Sequence, residues 1–183
     1  MVLLAAFAAL TFWLDRQLQP VAPAGNAKLR HDPDYIVEDI SATRFGPDGA
    51  ARFTLDARRM VHYPDDDTTA LEAPRLVNFG INGARVTVTS KNALVSSNGE
   101  NIYLRDDVTL IREAHADKDE MKVETSYLHV IPDQEIAKTD KPVQITDLHT
   151  RITSIGLEFD NRTRILNLLS NVRSTYERPT PPR

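Results

Sequence analysis

The chain contains no cysteine. That absence excludes disulfides, thiol catalysis, thiolate metal sites and a lipoprotein attachment cysteine together. A strong charge imbalance is missing too: the net charge over 183 residues is −4, and the scattered basic residues form no electrostatic footprint for nucleic acid. The sequence also lacks G-x-S-x-G, P-loop and GxGxxG motifs, so the common nucleophile and phosphate-binding signatures are absent. Its five histidines, His31, His62, His115, His129 and His149, show no i, i+2 or H-E-x-x-H spacing for a metal. The acidic turn Asp65-Asp66-Asp67 beside His62 lacks the glycine and distal glutamate of a calcium loop and reads as solvated surface. No catalytic residue, metal set or cofactor is therefore expected.

One long apolar run is present. Met1 to Leu14 carries no charge and ends with Trp13 next to Asp15-Arg16. As a helix its fourteen residues would cover roughly 21 Å, short of the ~30 Å hydrocarbon core. A membrane anchor over residues 1–16, closed by an interfacial tryptophan, stands first. A cleaved signal peptide stands second, because Ala22-Pro23-Ala24 resembles a cleavage site but lies far beyond the run. A buried core helix stands third, since the run has no polar face. Residues 17–32, with two prolines and a glycine, read as a linker. Residues 178–183 read as a proline-rich tail.

Residues 33–177 alternate apolar and polar positions between short turns. Strands are expected at Tyr35–Ala42, Ala51–Val61, Ala70–Phe79, Arg85–Ser90, Met121–Val130, Ile136–Ile145, Ile152–Phe159 and Arg164–Tyr176. Gly46-Pro47-Asp48-Gly49, Asn82-Gly83 and Pro132-Asp133 are expected as turns. Pro74 demands an edge position or a bulge. In Met121–Val130, Leu128 and Val130 share a face and Val123 falls on the other. The stretch Ala93–Val108 has an echo in Gly156–Val172: a polar turn, an apolar pair, then Asp107-Val108 or Asn171-Val172. Helical period is nearly absent, so the class is all-β, sandwich or barrel, with antiparallel pairing. Such a sheet must bury one face. Whether that face is filled by its own side chains or holds alkyl chains is open from composition. Asn161-Arg162-Thr163 matches a glycosylation sequon, but its place in a turn explains it.

The accumulated pattern resembles the LptC family. The resemblance rests on the apolar segment and linker, Asp34-Tyr35, Gly46-Pro47-Asp48-Gly49 and Ala57…Met60…Tyr63-Pro64. It continues through Leu71-x-x-Pro74, the hairpin Ala93…Leu104…Val108, Thr125-Ser126-Tyr127-Leu128, Thr139-Asp140-x-Pro142-Val143, Gly156-Leu157 and Asn171–Glu177. The family's basic residues ahead of the apolar segment have no counterpart here. The resemblance implies a twisted antiparallel β-jellyroll with an apolar groove, preceded by one membrane-anchor helix in the inner membrane, the β domain lying in the periplasm. It implies lipopolysaccharide as ligand, an ABC transporter of LptB, LptF and LptG type subunits on one side, and a bridge protein, LptA, on the other. Ile40, Leu71, Leu166 and Tyr176 resemble groove-lining positions. Alternation adds Phe53, Leu55, Val88, Leu104 and Leu128 as lipid-facing candidates. Leu166 is open to a one-residue slip that would turn it outward. Val172, Arg173, Ser174, Thr175 and Tyr176 are expected along the partner-binding edge. A structural adaptor that docks the bridge without carrying lipid is the alternative.

Overall fold

The computed structural model describes residues 11, 31–79, 85–116, 118–160, 162–163 and 165–177. The expected anchor, nearly all of the linker, the Asn82-Gly83 turn, Asn161 with its sequon, and the tail lie outside the described residues. The chain divides into two units, 1–31 and 32–183, and the second holds every described strand. Among the described residues no helix is long and apolar enough to cross a membrane.

Eleven strands succeed one another: β1 (Tyr35–Phe45), β2 (Ala51–Tyr63), β3 (Thr68–Glu72), β4 (Arg75–Phe79), β5 (Arg85–Thr89), β6 (Asn92–Val95), β7 (Ile102–Arg112), β8 (Met121–Ile131), β9 (Ile136–Thr146), β10 (Thr150–Asp160) and β11 (Ile165–Tyr176). All pair antiparallel in one sheet. Two of the apparent hairpins are halves of longer strands. β3 and β4 lie along opposite halves of β2, while β6 and β5 lie along opposite halves of β7. The sheet is thus a simple meander, with β1 and β11 as its edges.

Bends in the long strands gather at one level. Asp39 on β1, Ala73 between β3 and β4, Asp106 and Asp107 on β7, Gly156 on β10 and Asn171 on β11 all have positive φ. The ladders of β7 with β8, β8 with β9, β9 with β10 and β10 with β11 slip at this same line. These are β-bulges, whose extra residue bends the strand and raises its twist. Asp and Asn tolerate the left-handed backbone better than other side-chain-bearing residues, and glycine tolerates it best. Hydrogen bonds cross the line and tie it together: Ala73 N donates to Lys91 O (2.7 Å), Lys91 N to Asp106 O (2.9 Å) and Ser90 N to Pro74 O (3.3 Å). Pro74 is fully buried in this corner. It takes neither the edge nor the bulge expected of it: it sits inside the sheet in the break between β3 and β4, with the register unchanged across it, because its missing N–H falls where no ladder bond is made.

The bend folds the sheet onto itself and makes the core. On one side of the corner, Met60, Leu71, Ala93, Leu104 and Leu128 face one another in a cross-strand row. On the other side, Leu55, Leu76, Val88, Leu110, Val123, Ile145 and Ile152 form a second row. One cluster joins Leu71, Leu104 and Leu128 to Ala57, Val108, Leu55, Leu76 and Val88, so the two arms pack face to face. A second cluster joins Leu157, Phe159 and Leu168 to Val143, Ile145, Met121 and Val123. Strict alternation misplaces Val123. The irregularity between Thr125 and His129 changes which parity points inward, and Val123 packs in the second cluster with the core side chains. β2 behaves alike: Leu55 and Ala57 are inward before the bend, Met60 after it.

Gly156 is the tightest point of the corner. Its φ is +83°, and a Cβ there would stand 2.8 Å from Leu169 Cδ1. Gly156→Ala is expected to destabilise the domain by about 1–2 kcal/mol through the left-handed backbone alone, read as a lower urea midpoint at unchanged slope. An unchanged midpoint would show that the corner carries no such strain.

Candidate functional site

The inner face of the folded sheet is not evenly sealed. At the corner it is closed: Leu104 is 0% and Val108 2% exposed. Away from the corner its side chains are only half-buried, among them Leu55, Met60, Leu76, Val88 and Val130 on one stretch, and Met121, Val123, Ile152, Phe159 and Leu168 on the other. An apolar face packed at its base and partly open above is a groove.

The sequence-based candidates divide accordingly. Ile40, Leu55, Leu71, Val88, Leu104 and Leu128 come together in the first cluster. Leu71, Leu104 and Leu128 are its closed floor, whereas Ile40, Leu55 and Val88 are half-buried on its walls. Phe53 stands one row further from the corner, opposite Arg44 and Asn78. Leu166 pairs with Phe159 and shares a face with Leu168, which packs on the second cluster; it is 39% exposed. Tyr176 is 64% exposed at the end of β11, edge-on to His149 with centroids 6.2 Å apart. Met60, Leu76, Phe159 and Leu168 join the face without being candidates from the sequence. Their signal is the same alternation, once the parity change at the corner is allowed for.

Among the described residues no strand pairs with the outer side of β1 or of β11, and both edges carry exposed apolar side chains. Tyr35, Ile36, Val37 and Phe45 are exposed on β1; Ile165, Leu166, Leu169, Val172 and Tyr176 are exposed on β11. Val172, Arg173, Ser174, Thr175 and Tyr176 are all exposed. An open row of N–H and C=O groups flanked by apolar side chains is a template for another strand.

Two surface hollows, of about 600 and 920 Å³, lie at the corner among β7 to β11. Apolar and polar side chains line them together, including Leu157, Leu169, Lys138 and Glu158 in the smaller and Val143, Ile155, Glu124 and Arg173 in the larger. None of the lipid-facing candidates is in their walls. His129 belongs beside the smaller: it lies on the outer face, stacks on Tyr103 at 4.6 Å and pairs through Nε2 with Asn101 Oδ1 at 2.8 Å, and burial holds its pKa below the ordinary value.

The sequence sets His62 beside a solvated acidic turn. In the fold its ring, 14% exposed, lies on the inner face opposite Thr69. Its Nδ1–H donates to Asp34 at 2.7 Å and its Nε2–H to Asp67 at 2.9 Å. Tyr35 stacks on it with ring centroids 4.7 Å apart. Two carboxylates on two ring nitrogens favour the imidazolium: hydrogen bonds to Asp34 and then Asp67 raise the His62 pKa, and the bond to His62 lowers that of Asp34. The cation staples the start of β1 to β2 and to the turn before β3.

Three comparisons bear on this geometry. A family model described as lipopolysaccharide-assembly, LptC-related, matches residues 1–177. Among solved structures the chain resembles the crystal structure of LptH, the LptA-homologous periplasmic component of the conserved lipopolysaccharide transport device from Pseudomonas aeruginosa, at 10% identity and a TM-score of 0.55, covering 69% of this chain and 95% of that one. At that identity the likeness is one of fold. No curated protein sequence matches the chain.

The staple has a signed pH dependence. Because the folded His62 pKa is raised, its contribution is present in full below about pH 6.5 and is lost as pH rises through the folded value. Asp34, lowered from 3.8, contributes above that value and loses its contribution as pH falls. Urea midpoints of the protein and of His62→Gln, compared from about pH 5.5 to about pH 9, should differ most at the acid end and converge at the alkaline end. A constant difference would show that His62 acts by packing alone.

Proposed function

The chain belongs to the LptC-related family of lipopolysaccharide-assembly proteins, and from that premise we propose that it carries lipopolysaccharide by laying the acyl chains along the inner face of its bent sheet. The family is one of transport components rather than enzymes. The carrying observation is the gradient of burial on that face, closed at Leu104 and Val108 and half-open at Leu55, Val88 and Phe159. Each CH₂ moved from water into such a groove contributes about 0.8 kcal/mol, enough for a multi-chain lipid to be held without covalent chemistry.

The two open edges would serve as the entry and exit of the lipid. In this reading β1 pairs with the periplasmic jellyroll of an inner-membrane ABC transporter of the LptB, LptF and LptG type, and β11 with a bridge of the LptA type. Edge-to-edge pairing continues the hydrogen-bond ladder from one protein to the next. It also sets the apolar rows end to end, so the lipid slides from groove to groove. An N-terminal anchor would keep the carrier at the inner membrane with its β domain in the periplasm.

The buried Leu71, Leu104 and Leu128 favour a second reading, an adaptor whose sheet is filled by its own side chains and only docks the bridge onto the transporter. Charged substitutions at these three positions would unfold the core, so the two readings are separated at the half-buried walls. Photo-crosslinkers at Leu55 and Val88 should capture lipopolysaccharide, and crosslinkers at Arg52 and Asp56, on the outer face, should not. Equal labelling of both faces, or of neither, would leave the adaptor. A crosslinker at Thr175 on β11 should capture the bridge, whereas one at Tyr103, in mid-sheet, should be silent; capture at both positions would remove edge pairing as the mode of docking.

A further inference from the structure

The inner face carries a charge that packing does not explain. Arg112, the last residue of β7, stands in an inner row between Val86 and Met121. Met121 packs on the second core cluster. The Arg112 Nε is buried and has no hydrogen-bond partner. Its Nη2 donates to the backbone carbonyl of Asp119 at 3.1 Å, and among the described residues no carboxylate forms an ion pair with it. Glu113, the next residue, is engaged by Arg85 at 3.5 Å. A half-buried guanidinium with no counter-charge costs free energy unless an anion completes it. Arg44 lies in the same row, across Phe53, Asn78 and Val86, and is exposed. Neither arginine is in the apolar rows nearest the corner; both stand where strands end, at the rim.

We propose that Arg112 is a phosphate-binding position at the rim of the groove, so that the ligand is an acylated glycolipid held by its chains on the apolar rows and by an anionic phosphate on the guanidinium. This rests on the lipid-carrying function proposed for the groove. Guanidinium is the fitting group: it is weakly hydrated, never deprotonates, and presents a planar fork of donors that matches phosphate oxygens. Position divides the labour. Val88 and Leu110, on the strands beside and along Arg112, take the apolar part, while the rim keeps the head group next to water. Arg44 supplies a second positive charge on the same rim.

The test measures equilibrium binding of fluorescent lipid A to the full chain in detergent, with bisphosphorylated lipid A and its dephosphorylated form. The protein should prefer the phosphorylated lipid, and Arg112→Gln should weaken that binding by about tenfold or more, the loss typical of one charge-assisted pair, while leaving the dephosphorylated lipid unchanged. Equal loss for both lipids would assign Arg112 to holding the Asp119 loop and overturn the proposal. If Arg112→Gln does not fold, the salt dependence of the unaltered protein decides: a preference that fades as salt rises supports the phosphate contact, and one that ignores salt overturns it. Inorganic phosphate added as competitor should erase the preference but not the binding. A protein that binds both lipids equally loses this site and keeps its groove; one that binds neither loses the groove as well.

Discussion

The line of bulges through the middle of the sheet is the constraint on which the rest depends. A sheet of long antiparallel strands would otherwise be a two-faced surface with its apolar side open to water. The left-handed residues Asp39, Ala73, Asp106-Asp107, Gly156 and Asn171, with the ladder slips among β7 to β11, fold that surface upon itself, so the same strands provide both walls of the core. Burial therefore falls off with distance from the bend rather than from a centre. The floor at Leu104 and Val108 contributes stability, each such side chain worth roughly 1.5–3 kcal/mol. The walls contribute less because they are half-exposed, and they are the part free to meet a ligand.

The same bend accounts for what is and is not legible in the amino-acid sequence. Strand existence is legible from alternation, and the left-handed steps Asp107-Val108 and Asn171-Val172 stand out as a repeated motif. Their meaning does not, because a strand with period two gives no sign that an extra residue exchanges its faces. Alternation alone turns Val123 outward for that reason, and it leaves Met60, Phe159 and Leu168 unmarked. The single strand Ala70–Phe79 expected from alternation is divided at Pro74 into β3 and β4, which continue one another along β2.

His62 illustrates a different limit. Its neighbours in sequence, Asp65 to Asp67, suggest a solvated turn, yet one of its two carboxylate partners is Asp34, far back along the chain. Pairing of β1 with β2 brings them together, with Tyr35 opposite His62, and local spacing carries no trace of it. Arg112 is similar. In the sequence it is one basic residue at a strand end, and only the lack of a carboxylate paired with it among the described residues of the folded chain makes it conspicuous.

The bulge at Asn171 lies on a free edge, and this has a consequence for assembly. A straight strand laid against β11 can track it on one side of Asn171 and must then part from it. A strand bent at the same height can track all twelve residues. An edge of this shape would distinguish a pairing strand by backbone curvature, a property that survives wide change in side chains. A fold persists at 10% identity, so backbone curvature outlasts most change of side chains, as two lengths of the same gutter keep one profile however they are painted.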